Sequence, residues 1–477
     1  MAQGKSQIDF SGGQKSSDDP LAGAIPQSIN VLVDKAGAIH VRPGINTWSG
    51  FDAPPLYDAT KPVDGITVWN GTPVYVTSDR LIHAQIGGAG VDLSDATATT
   101  KLDNSRRPVF ASARTRLIIA GGGALQEWEG VGFPLSARLG GSSPNAVHVV
   151  AISQRLVVNP PDLSGQIQWS DPGEPTGHET WLGEFKELES NPDPLPALYE
   201  VAEELVGGGT ETVQVLAPAP EGEVFTSIRT WSSGFGAPYS FVANDETFGF
   251  LDSRRRIQLS NGRSFNDISN KGITKSLQEL ATISDCWAFR IQFGGYNLLG
   301  WNFPTVGRCF VWDLDRQTWG EFRGYSSGEW TAWSATAMAH WADENLHLVG
   351  LADGTIGKLD SSVVTDNGEQ IVAEVYSGFS DEGTDEWKQH IVTRFSFRRG
   401  LGTVGSSPGP RCQLFWRDTP GAWEDPIELD LGNADDLQPV IEVRSLGSYR
   451  TRQWRLRMSD NVPLTLVGAV TTYETEV

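Results

Sequence analysis

The stretch GITVWNGTPVYVTSDRLIHAQIGG, residues 65–88, reads as three short apolar strands joined by two tight turns. Asn70-Gly71 lies between the first two, and that dipeptide signals a hairpin because both residues tolerate positive φ. The pattern returns in PVFASARTRLIIAGGGALQEWEG (108–130), VHVVAISQRLVVNPPDLSGQIQWSDPG (147–173), PALYEVAEELVGGGTETVQVL (196–216) and PYSFVANDETFGFLDSRRRIQLSNG (238–262). Two more copies follow, CWAFRIQFGGYNLLGWNFPTVGRCFVWD (286–313) and ATAMAHWADENLHLVGLADGTIGKLD (335–360). In the fourth copy Leu198, Val201 and Leu205 also fit one face of a helix. Spacing favours strands there. Aligned on their third strands, the copies place Ile82, Leu125, Ile167, Val213, Ile257, Phe310 and Ile356 at steps of about 43, 42, 46, 44, 53 and 46 residues. That is mostly the ~40–50 residue beat of propeller blades, and without the fourth copy it would skip a period. The expected fold is all-β, with a seven-bladed β-propeller over residues 65–370.

A second marker keeps the same rhythm. Thr47-Trp48, Thr180-Trp181, Thr230-Trp231 and Thr318-Trp319 are each followed closely by Phe, and they read as outer blade strands with Trp packed between neighbours. The long fifth step contains KGITKSLQELATIS (271–284), where Ile273, Leu277 and Leu280 predict one short helix outside the ring. Two segments compete to supply the outer strand of the last blade, residues 39–48 and residues 371–379. The Thr-Trp cue favours the first and chain order the second; the expectation is the N-terminal one, because it ties both ends of the ring together. Residues 1–64 are thus an N-terminal segment that partly packs on or closes the propeller. After residue 371 the beat stops, and six alternating apolar runs predict an appended C-terminal antiparallel β-sandwich over residues 371–477.

Composition agrees with many short strands and tight turns: 477 residues with 53 Gly, 27 Pro, 17 Trp and only three Met. The formal charge of −22 argues against a nucleic-acid reader, which holds phosphates with clustered Lys and Arg. Cys286, Cys309 and Cys412 have no CxxC spacing, so neither a disulfide scaffold nor a Cys-rich zinc site is expected. No apolar run reaches the ~18 residues that span a bilayer. The N-terminus has no apolar signal core. The expectation is a soluble, acidic chain made in a reducing compartment, without membrane insertion.

No chemistry stands out. His40, His83, His148, His178, His340, His347 and His390 show no i, i+4 pair for zinc. The Gly121–Gly123 and Gly207–Gly209 runs lack the following Lys of a phosphate loop. GxSxG occurs at 324–328 and 405–409 without the strand–turn–helix setting of a nucleophile elbow. Asp313-Leu314-Asp315 begins like a calcium loop but reads better as an Asp-capped turn. No catalytic, cofactor-binding or metal residue is nominated. Two basic clusters break the acidic background: Arg254-Arg255-Arg256, and Arg444, Arg450, Arg452, Arg455 and Arg457 in a stretch free of Asp and Glu. The second reads either as a solvated strand face or as a contact surface for an acidic neighbouring subunit or DNA phosphates.

SINVLVDKAGAIHVRPGI (28–45), FVANDETFGF with RRRIQLSNGRSFNDIS in mid-chain, and RTRQWRLRMSDNVPLTLVGAVTTYE (450–474) follow one another as in a known family. The chain resembles the packaged-DNA stabilisation proteins of short-tailed bacteriophages, also called tail-hub or nozzle proteins. The resemblance implies a virion tail protein, made in the host cytoplasm, in a homo-hexameric ring below the portal and its adaptor. It implies contact with the head-to-tail connector and with needle, tip or fibre proteins. The ring would continue the channel for double-stranded DNA and help retain it until ejection, without sequence-specific binding. The alternative is a Trp-rich propeller that binds or cleaves glycans. Such a protein would expose several Trp on one face, whereas a structural subunit would bury most of them between blades.

Overall fold

The computed structural model describes residues 2–10 and 28–475. Excepted are 49–60, 95–101, 131–135, 138–142, 173–180, 189–193, 399–409, 433–439, 81, 87–88, 103–105, 114, 162–164, 195, 220–222, 245–246, 261–263 and 420. Strands dominate the described residues, which contain one α-helix, Lys271–Glu279.

Six blades take four consecutive antiparallel strands each. Blade 1 runs Val63–Trp69, Thr72–Thr77, Ile82–Ile86 and Ala89–Asp92. Blades 2 to 6 have inner strands Val109–Ala113, His148–Ile152, Ala197–Val201, Val242–Asn244 and Trp287–Phe293. Their outer strands are Ser136–Ala137, Phe185–Glu187, Phe225–Trp231, Phe265–Asp267 and Thr318–Phe322. A further unit is composite. Ala335–Trp341, Leu346–Leu351 and Ile356–Asp360 are consecutive, but the fourth strand, Gly44–Thr47, comes from the N-terminus. It is called blade 7 below.

Apolar side chains explain why the sheets stand face to face. One buried cluster lies between each pair of neighbours: Trp69 and Trp128 between blades 1 and 2, Leu125 and Leu156 between 2 and 3, Ile167 and Leu205 between 3 and 4. Val215 and Phe250 join blades 4 and 5, Leu251 and Trp301 join 5 and 6, and Val311 and Val349 join 6 and 7. Val63 and Ile66 of blade 1 then meet Leu348 and Ile356 of blade 7, which shuts the ring.

Turns between the first two strands of several blades place two successive residues at positive φ, the twist that matches paired strands. Asn70-Gly71 (47° and 71°) was legible; Ala202-Glu203 (51° and 62°) was not. The fourth copy is all strand, with Val201 opposite Glu204, and its ambiguity came from a turn lacking Gly and Asn. The helix forms where expected: the Asn270 side chain accepts from the Gly272 and Ile273 amides, and Ile273 and Leu277 are fully buried between blades 5 and 6.

Closure follows the N-terminal option: Thr47 to Gly44 pair with Gly357 to Asp360. Ala373–Tyr376 pairs instead with Ser28–Ile29 and Arg452–Met458. Ile29 makes one parallel bridge to Glu321, so the sheet of blade 6 continues into the C-terminal region through Ser28–Ile29, Ala373–Tyr376, Arg452–Met458, Arg411–Asp418 and Ile427–Asp430. A second sheet, running Val31–Val33, Ile39–Val41, Thr465–Thr475, Lys388–Phe397 and Val440–Arg444, packs across from it over Phe395, Leu414, Trp454, Leu456 and Leu466. This is the appended sandwich. The sequence reading missed that N-terminal residues are part of it: Ala2–Ile8 and Ile39–Val41 both pair with Thr465–Thr475, and Ile8, Phe10, Val31 and Ile39 join its core.

Candidate interaction surface

The pleat divides the five arginines nominated from sequence. Along Arg452–Met458, residues 452, 454, 456 and 458 share one side, and 453, 455 and 457 the other. Arg452 is fully buried, bidentate to Asp418 at 2.7 and 2.9 Å, and donates to the Leu446 carbonyl. Its charge is neutralised inside the sandwich, so it does not present itself for subunit contact. Arg444 lies on the other sheet, exposed beside Glu442, and Arg450 is exposed over the Trp387 ring at 5.4 Å. Only Arg455 and Arg457 come together.

Those two are joined by a residue that sequence proximity could not supply. Arg417, on Arg411–Asp418, turns to the same face, and its guanidinium lies 4.8 Å from the Trp423 ring while that of Arg455 lies 4.7 Å from it. Phe415, opposite Arg455 in the pairing, supports the Arg455 guanidinium at 3.8 Å. Arg457 is held by Glu374 at 2.5 Å. Neither Arg417 nor Arg455 has a carboxylate partner among the described residues, and Arg455 Nε is a buried donor without an acceptor there. Burial pushes the Arg417 pKa down, and Arg455 adds repulsion. The result is a half-exposed face of three arginines and one acid on an acidic chain.

Arg254-Arg255-Arg256 has an internal role. Arg255 Nη1 donates to the carbonyls of Leu277, Gln278 and Leu280 at the helix C-terminus, and Arg256 pairs with buried Asp252 at 2.7 Å. Asp313 caps a turn, accepting from the Asp315 and Arg316 amides. Gly324–Gly328 is a hairpin with Ser327 and Gly328 at positive φ, not an elbow; 405–409 lies outside the described residues. All three cysteines are buried and free, and no metal-ligating group of three occurs among the described residues.

Two cavities among the described residues bear on function. A cleft of about 620 Å³ between propeller and sandwich is lined by Asp34, His40, Tyr296, Arg316, Arg398 and Leu464. Its ion pairs are internal: His40 to Asp34 at 3.1 Å, and Arg316 to Asp313 at 2.6 Å. A pocket of about 260 Å³ at the propeller axis is walled by Arg107, Tyr199, Tyr239, Phe241 and Trp287. Burial moves Arg107 down to about 10 and neighbouring His148 down to about 3, which keeps that imidazole neutral. In the larger cleft Thr465 Oγ1 lies 3.0 Å from His40 Nδ1, whose Nε2 meets Asp34 Oδ2 at 3.1 Å; Thr465 is a strand hydroxyl, 5% exposed, that helps fix the imidazole ring. Ten tryptophans are buried and only Trp387, 48% exposed, stands clear of the surface, so no row of Trp is laid out for sugar rings.

His390 gives a testable acid sensitivity. It is buried; its Nδ1 accepts from the Leu446 amide and its Nε2 meets Thr393 Oγ1 at 2.8 Å. Burial, and then Arg452, push its pKa down to about 4 from 6.5. The unfolded chain therefore takes up the proton first, and this stabilisation, full above pH 6.5, is lost as pH falls toward about 4. Denaturant titrations should show wild type losing on the order of 2–3 kcal/mol more than His390→Asn across that window. Equal losses would contradict the account.

A family described as "Bacteriophage P22 Gp10, beta-propeller" matches residues 56–364, well over half of the chain. The chain belongs to that family. It is a phage tail structural protein of the propeller type. No curated protein matches it. Among solved structures it is similar to the computationally designed Ika8 protein, at 14% identity and a TM-score of 0.39, over 64% of this chain and 98% of that one. No helix among the described residues is long and apolar enough to cross a membrane.

Proposed function

We propose that this family member is a wall subunit of the tail nozzle: several copies, six by the family resemblance, form a ring that continues the DNA channel below the portal and adaptor. The observation that carries this reading is mechanical. The ring is stitched shut by Gly44–Thr47, and blade 6 and the sandwich share one hydrogen-bonded sheet, so the chain is built as one stiff block. Such a block suits a conduit better than a catalyst that must open and close.

The wall would guide DNA without gripping it. A charge of −22 per chain repels the phosphate backbone over a screening length of about 8 Å at physiological salt. DNA could then slide, and retention would fall to a plug supplied by needle or tip proteins. The isolated chain should bind duplex DNA more weakly than ~1 μM even at low salt. Submicromolar binding that falls steeply with salt would overturn the non-gripping wall. Co-purification tests the rest: the chain should sediment with portal–adaptor–tail complexes, and its absence from purified tails would end the nozzle reading.

A further inference from the structure

A second feature of the molecule complements the arginine face. Leu182, Phe185 and Ile228 are 66%, 53% and 41% exposed, which is unusual for large apolar side chains in a well-packed propeller. Phe185 lies on Phe185–Glu187, the outer strand of blade 3, and Leu182 just before it. Ile228 lies on Phe225–Trp231, the outer strand of blade 4. Ile228 is the extra residue of a bulge, between Ser227, opposite Leu216, and Arg229, opposite Val215. An ion pair from Lys186 to Glu223, two residues before Phe225–Trp231, ties the outer edge of blade 3 to that of blade 4. Glu184, Glu187 and Glu223 are exposed along this edge; its bases are Lys186, paired with Glu223, and Arg229, paired with Glu204.

The two surfaces mirror each other in charge. One carries Glu184, Glu187, Glu204 and Glu223 against Lys186 and Arg229, beside exposed apolar side chains; the other carries three arginines and Glu374 around Phe415, Trp423 and Tyr376. Trp, Tyr and Arg are the side chains that dominate protein contacts when desolvated. The positions are suitable as well. The arginine face extends from blade 6, and blade 3 is three places from blade 6 around the ring, as far as two of seven units can be. Surfaces on opposite sides of one molecule cannot meet within it, but they can meet head to tail between copies.

We propose that the Arg417–Arg455–Arg457 face of one copy docks onto the acid-rimmed Leu182–Phe185–Ile228 edge of the next. This rests on the reading of the chain as a ring subunit, and it names the two surfaces that make the ring. The stacked arginines, already held by Phe415 and Trp423, keep their unused N–H groups for glutamates across the contact. The exposed apolar trio then seats against the aromatic side chains. Because the contact is heterologous, it closes into a ring at the rotation that the two surfaces set.

A charge swap tests the pairing. The face variant carries Arg417→Glu with Arg455→Glu; the edge variant carries Glu187→Lys with Glu223→Lys. Light scattering over a concentration series should show wild type assembling and each variant alone associating about tenfold or more weakly. An equimolar mixture should recover assembly, since each altered surface then meets an opposite charge, and its particles should contain only even numbers of chains. Recovery also shows that both variants are folded. Variants that assemble as wild type does, a mixture that fails to recover while both thermal midpoints match wild type, or a wild-type chain monomeric throughout the series would each overturn the proposal. If a reversal itself shifts the midpoint, the milder Arg455→Gln and Phe185→Ser replace it and must weaken assembly in the same way. The tail reading is judged separately, by whether the chain is found in purified tails.

Discussion

Asp366→Ala is expected to destabilise the protein by about 3–5 kcal/mol, because it strands a buried cation. Arg42 is 1% exposed and bidentate to Asp366, Nη1–Oδ1 at 2.9 Å and Nη2–Oδ2 at 2.5 Å. Its Nε donates to Asn30 Oδ1, and its guanidinium lies over Phe322 and Trp333 at 5.3 and 5.7 Å. The Asn30 amide donates in turn to the carbonyls of Arg323 and Val372. Residues far apart in the chain therefore meet on one guanidinium, beside the closing strand, where Asp366 bridges Ile45. Removing the carboxylate leaves the buried cation with only the Asn30 side chain and the Pro43 carbonyl to accept from it. Replacing both, as Arg42→Met with Asp366→Leu, should recover much of the loss, since an apolar pair of similar volume bears no desolvation penalty. Denaturant midpoints of the three variants check this; a loss below ~1 kcal/mol for Asp366→Ala would contradict it.

Deleting residues 1–48 is expected to abolish cooperative folding. The deletion exposes the free edge of Ile356–Asp360 and empties the places of Ile45, Ile29, Ile39, Val31, Ile8 and Phe10, each at most 7% exposed. At about 1.5–3 kcal/mol per buried side chain the loss is on the order of 10 kcal/mol, comparable with the whole stability of a domain. A peptide of residues 28–48 added in trans should bind the truncated chain and restore part of the fold. Far-ultraviolet dichroism and solubility would report it. A truncated chain that melts as sharply as wild type, at the same temperature, would refute this account of closure.

Both variants act where local reading was weakest. The blades were legible because each hairpin is local: alternating apolar residues around Asn70-Gly71, or around Gly294-Gly295, need no distant information to choose strand and turn. The helix was legible for the same reason, from Ile273, Leu277 and Leu280 at one face. Ala202-Glu203 was harder to read, since its backbone takes up the hairpin twist without the residues that usually mark it. The arginine face was half legible. A run of basic residues drew attention to 444–457, but strand alternation sent Arg452 inward and left Arg455 and Arg457 outward, while Arg417 came from another strand and Trp423 from the connection that follows it.

The order of the hairpins, the single helix and the all-β class therefore follow from the sequence by itself, because periodicity and turn chemistry act within a few residues. Tertiary structure decided which strand closes the ring, how blade 6 merges with the sandwich, and which arginines are neutralised. An unpaired strand edge offers the same backbone donors and acceptors to any partner, so hydrogen bonding alone cannot choose between residues 44–47 and residues 373–376. The choice falls to side-chain fit: Ile45 enters the core between blades 6 and 7, while Ala373 and Val375 enter the core of the sandwich.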